Sequence, residues 1–203
     1  MITLEHTQGN WFGGFNKAVA QYATDGIIST SGRVATNGDA PEGHMWRLID
    51  HGQAWLVPDK VDMLYAVIYE DQALHNNEGR KWFSAGIRPS YYWTDIMSTA
   101  VELGYDHINP DSNSSLGSSS YSLKKITLAQ QWTAGRGALT RPTIRLFTTY
   151  AKWDGDAFLA NVDDDGVETA SSNSLNAGTT GADSIDMGDH DGLTYGVQME
   201  AWW

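Results

Sequence analysis

The chain has 203 residues, including 21 Gly, 9 Trp and 9 Tyr, with no Cys. Its net charge of -12 argues against a nucleic-acid partner, which needs clustered Lys and Arg. No run approaches the roughly 18 apolar residues of a membrane-spanning helix, a limit that leaves β-barrels untouched. The lack of Cys removes disulfide frameworks and thiolate metal sites.

In chain order, strands are predicted over 1–8, 15–24, 43–56, 62–74, 81–94, 97–108, 121–134 and 142–153, with a last strand from Gly192 to Trp203. Met1–His6 lacks the basic start and apolar core of a signal peptide, so an exported chain would here be a mature or truncated piece. Segment 62–74 is apolar on both faces. Segment 81–94 sets Phe83, Ala85, Ile87, Tyr91 and Trp93 against Trp82, Ser84, Arg88, Ser90 and Tyr92. Segment 97–108 sets Met97, Val101, Leu103 and Tyr105 against Ser98, Glu102 and Asp106. Segment 142–153 sets Ile144, Leu146 and Tyr150 against Thr143, Arg145 and Thr149. The last strand sets Leu193, Tyr195, Val197, Met199, Ala201 and Trp203 against Thr194, Gly196, Gln198, Glu200 and Trp202. Period two gives a strand two unlike faces.

The connections alternate in length. Short ones fall near 9–14, 57–61, 94–96 and 135–141, and longer ones near 25–42, 75–80, 109–120 and 154–191. Outer-membrane barrels carry short turns on one rim and long loops on the other. Aromatics gather near segment ends: Trp11, Phe12, Trp55, Trp82, Tyr91, Tyr92, Trp93, Trp153, Trp202 and Trp203. Such belts suit a membrane interface. The expected fold is therefore all-β, an antiparallel transmembrane barrel wall of about nine strands. The alternative is a small closed barrel or soluble β-sandwich that binds carbohydrate.

The ordered motifs Glu5-His6-Thr7-Gln8, Gly14-Phe15-Asn16-Lys17, Leu48-Ile49-Asp50-His51-Gly52, Gly86-Ile87-Arg88-Pro89, Ile126-Thr127-Leu128-Ala129-Gln130-Gln131-Trp132, Tyr150-Ala151-Lys152-Trp153 and Gln198-Met199-Glu200-Ala201-Trp202-Trp203 span nearly the whole chain. On these motifs the chain resembles the C-terminal half of maltoporin-family proteins. The resemblance implies half of an 18-stranded barrel, a passive channel for maltose and maltodextrins, a homotrimer in outer-membrane lipid, and no cofactor. It also implies a lumen path of aromatics on which sugar rings slide. Phe15 and Trp202 match that path, and Leu139 stands where the family pattern has Trp. Both aromatics also lie on otherwise polar strand faces, Phe15 with Lys17 and Gln21, and Trp202 with Gln198 and Glu200. A C-terminal Trp203 resembles the signal read by the barrel-assembly machinery. Arg88, Glu102, Asp106, Arg141 and Arg145 lie on the less apolar faces and are read first as wall residues.

Other constellations are weak. Asn161, Asp163, Asp165 and Gly166 begin like a calcium loop, but Ser172 stands where the bidentate Glu belongs. His44 and His51 have no partners that complete a zinc site, and no nucleophile has a local base. The sequence therefore predicts neither a metal nor an enzyme.

Overall fold

A computed structural model describes residues 1–31, 41–114, 120–154, 161–162, 168–169 and 191–201. The calcium-like segment lies mostly outside them, as do Trp202 and Trp203. The strands are β1 (Ile2–Trp11), β2 (Gly14–Thr24), β3 (Gly43–Val57), β4 (Val61–Leu74), β5 (Arg80–Tyr92), β6 (Met97–Pro110), β7 (Tyr121–Thr133), β8 (Thr143–Asp154), β9 (Asn161–Val162), β10 (Glu168–Thr169) and β11 (Asp191–Glu200). Nine of them form one sheet in the order β1–β8 then β11, and β9 pairs with β10 alone. Every pairing is antiparallel. Among the described residues the remaining regular pieces are two 3-10 turns, Asp25–Ser31 and His75–Asn77. Among the described residues β1 and β11 are the two edges, and the sheet is not closed.

Residues paired across an antiparallel ladder share a face. One row runs Gly52, Tyr65, Ile87, Leu103, Ile126, Tyr150, Leu193. Its large members are apolar and much of it is exposed, as are Leu48, Val67, Leu128, Leu146, Tyr195 and Val197 on the same face. A second row runs Trp55, Asp62, Ser90, Ala100, Ala129, Phe147, Gly196. The buried polar residues Asp62, Glu70, Gln72, Arg80, Ser90, Ser98, Gln131, Thr143 and Arg145 all lie on this second face. Polar side chains are thus buried and apolar ones exposed. A sandwich would cover its apolar face with a second layer, and the described residues contain none. Exposed apolar surface of this extent suits hydrocarbon, not water.

The polar face is the inner one. The β7–β8 turn and β4 are separated by intervening strands, yet Ala138 N–H reaches Asp62 at 2.7 Å. At the opposite rim the segment after β2 also folds inward, seating Ile28 on Ala23, Met45 and Leu74.

Two expectations change. Trp55, Trp82, Tyr92 and Trp153 do not join an outward belt. Register puts them on the polar face, where Trp82 donates its indole N–H to Asp106 at 3.2 Å and Trp55 stacks on Tyr92 at 5.6 Å. The outward belt near the short turns is built from Trp11, Phe12, Tyr91, Trp93 and Trp132, while Tyr22 and the Trp46–Tyr69 pair serve the other rim. Loop lengths also sort less cleanly. The β4–β5 connection 75–79 is brief, whereas the turn 134–142 on the short rim is longer because it folds over the inner face.

Candidate functional site

Phe15 follows Gly14, the first residue of β2, beside the tight turn at Phe12 and Gly13. Gly14 lets the strand begin against β3, since a Cβ there would lie 2.0 Å from the Gln53 carbonyl oxygen. Phe15 then pairs with Gln53, half-buried, with its ring edge-on to His51 at 6.2 Å.

Leu139 is not on a strand. It lies in the β7–β8 turn and is 47% exposed. The preceding residue, Ala138, donates its backbone N–H to Oδ2 of Asp62. Asp62 is fully buried and also accepts from the Gln53 amide at 2.7 Å and the Tyr92 hydroxyl at 3.1 Å. On the other shoulder of the turn, Arg141 pairs with Glu200 at 2.8 Å, and Arg145 reaches the same carboxylate at 2.9 Å.

These contacts form a chain at one mouth of the inner face. Phe15 pairs with Gln53, Gln53 bonds Asp62, and Asp62 bonds the turn that carries Leu139. Arg141 of that turn holds Glu200, two positions before Trp202 in sequence. The structure brings Phe15 and Leu139 into one connected region and describes the strand leading to Trp202, but not Trp202 itself.

Further along the inner face is a groove of about 200 Å³. Lys125 pairs with Glu102 at 2.9 Å there, and Arg88 approaches the same carboxylate at 4.0 Å. Thr127 and Thr149 share a hydrogen bond of 2.7 Å. Phe147 lies against Gly196, where a Cβ would stand 3.2 Å from the ring. The groove offers an aromatic surface among hydroxyls and paired charges.

Sequence reasoning missed Asp62, Gln53, Tyr92 and Phe147 as members of this wall. Phe147 had a usable signal, being an aromatic in phase with Arg145 and Thr149. Asp62 had none, because nothing in its neighbourhood announces the turn that reaches it. Arg141 and Arg145 serve as wall residues, spending their donors on Glu200, Gln131 and Gln198. Among the described residues no group of three or more metal-ligating side chains converges. The arrangement suits weak, repeated contacts with polyhydroxylated rings, since aromatic faces meet apolar ring faces and charged pairs meet hydroxyl edges. The family model described as LamB porin matches residues 1–203.

Proposed function

We propose that this chain, which belongs to the LamB porin family, lines with its polar face a passive channel for maltose and maltodextrins. The family is one of sugar porins of the bacterial outer membrane, a class of channels and not of enzymes. The finer reading is carried by one observation, the connected mouth that joins Phe15, Gln53, Asp62, the Leu139 turn and Glu200.

In this reading the nine strands are the C-terminal half of an 18-stranded barrel. Open strand edges are not tolerated in lipid, so β1 and β11 must find partners there. Phe15, Trp202 and Leu139 form the lower part of the sugar path. Rings slide over the two aromatics, while Leu139 adds apolar surface without a flat face. Each contact is weak enough to release, as conduction requires. The channel works as a homotrimer, and Trp203 is the residue presented to the barrel-assembly machinery.

The test is current block in planar bilayers by native channels purified from outer membranes. Maltohexaose should reduce the current saturably, and Phe15→Ala should raise the half-blocking concentration about tenfold, the loss of one aromatic stacking contact of ~1.4 kcal/mol. Current indifferent to maltohexaose would overturn the reading.

A further inference from the structure

We propose that the β7–β8 turn is a fixed constriction across the short-turn mouth, and that Asp62 is the positioning residue that holds it there. The inference rests on the sugar-channel reading above and adds to it a device that sorts solutes by cross-section.

A hairpin between neighbouring strands needs only about two to five residues. Here the connection runs from 134 to 142, and its surplus length crosses the inner face. β4 lies three strands from β7, about 14 Å along the sheet at the usual strand spacing. The turn spans that distance and is tied at its far side. Besides the Ala138–Asp62 bond, Arg136 donates to the Asp59 carbonyl at 2.6 Å and pairs with Asp95 at 3.0 Å. The turns at 58–60, 93–96 and 134–142 thereby form one collar.

The ties are unequal. Asp95 is 85% exposed, so its pair with Arg136 is open to water and weak. Asp62 is out of water altogether. Its carboxylate is held by Gln53 and Tyr92, and Tyr92 is backed by Trp55. A carboxylate so fixed offers Ala138 one position only, and Leu139 follows directly. The opposite shoulder is fixed by Arg141 on Glu200. A turn held on both shoulders cannot yield to a wide solute. An unbranched sugar passes end-on, while a cyclic or branched one of similar mass is retarded when it enters from this side.

The experiment uses native channels in planar bilayers, with sugar added to one side at a time. Maltohexaose is the linear probe and a cyclic maltodextrin the wide one. Asp62→Ala is expected to raise the entry rate of the cyclic sugar from the short-turn side several-fold, with entry from the other side unchanged. Asp62→Asn is expected to match the parent. One amide oxygen can accept from Ala138 and Gln53 together, and the Tyr92 hydroxyl can turn to accept from the amide nitrogen. Arg136→Ala should shift entry in the same direction as Asp62→Ala, by less. It leaves the buried hub intact, so it decides the matter even if Asp62→Ala fails to assemble. The proposal is overturned if side-specific entry is the same in parent and Arg136→Ala, or if Asp62→Asn is as altered as Asp62→Ala. A parent channel that maltohexaose does not block would instead overturn the sugar reading itself.

Discussion

Strand β4 buries two carboxylates on the same face, one near each rim, and holds them in opposite ways. Glu70, toward the long-loop rim, sits between two cations. Arg47 reaches it through both Nε and a terminal nitrogen, and Arg80 reaches it at 3.1 Å. Gln72 adds a further bond at 2.8 Å. Asp62, toward the short-turn rim, accepts from neutral groups among the described residues, one of them the backbone of a distant turn. Both side chains are fully buried. Glu70 closes an ion cluster that belongs to the wall, while Asp62 spends part of its acceptor capacity on fixing a separate segment. Burial alone therefore does not tell which buried acid is structural and which positions a working part; the partners do.

The largest effect should come from breaking the cluster. Glu70→Ala leaves Arg47 and Arg80 facing each other without their shared anion, and should cost about 3 kcal/mol or more. The expected result is a lower unfolding midpoint in detergent and less assembled porin in the outer membrane, with sugar block unchanged in channels that do form. Replacing Leu128, mid-strand on the apolar face, by Arg should cost about 2–4 kcal/mol, while Thr127→Arg on the inner face should leave stability near the parent. Equal costs at the two positions would undo the assignment of faces on which the comparison rests.

Smaller effects belong to the mouth. Arg141→Ala removes one of two cations from Glu200 and should lower stability by about 1 kcal/mol, with Arg145 retaining the carboxylate. Its clearer mark is on function, since the turn loses one shoulder and maltohexaose should leave faster. Leu139→Trp should act in the other direction, adding a flat ring to the path and lowering the half-blocking concentration by a few-fold, about 1 kcal/mol. The smallest effect is expected at Lys17 and Glu5, an ion pair of 3.0 Å that water reaches on both partners. Lys17→Met should leave the unfolding midpoint in detergent indistinguishable from the parent.

Much of the fold was legible because alternation carries over a whole strand. The two faces of segments 81–94, 97–108 and 142–153 follow directly from residue parity, and the pairing registers agree with them. Segment 62–74 could not be read that way. Leu64, Ala66 and Ile68 occupy inner positions between Asp62 and Glu70, so both faces look apolar until the neighbours in β3 and β5 fix the phase. The aromatic belt was misjudged for a related reason. Closeness to a strand end gives height in the membrane but not side, and Trp55, Trp82 and Trp153 turn inward by parity.

The site was legible in part. The inner-face position of Phe15 was readable from its shared phase with Lys17 and Gln21, and the pairing with Gln53 agrees with it. Leu139 could be placed only by resemblance, because a turn has no period to read. The tie from Ala138 to Asp62 joins residues far apart in sequence through a backbone donor, and no side-chain pattern encodes it. Trp202 and Trp203 lie outside the described residues.

The central claim is that the polar face lines a water-filled channel and the apolar face meets lipid. These 203 residues contain no Cys, so none of them competes with an introduced single cysteine. The most direct measurement places Cys at Thr127, Leu128, Leu146 and Thr149 in turn and follows modification by a charged, water-soluble thiol reagent in open channels. The account predicts current steps for Thr127→Cys and Thr149→Cys and none for Leu128→Cys and Leu146→Cys. Modification at the two leucine positions with protection at the two threonines would contradict it.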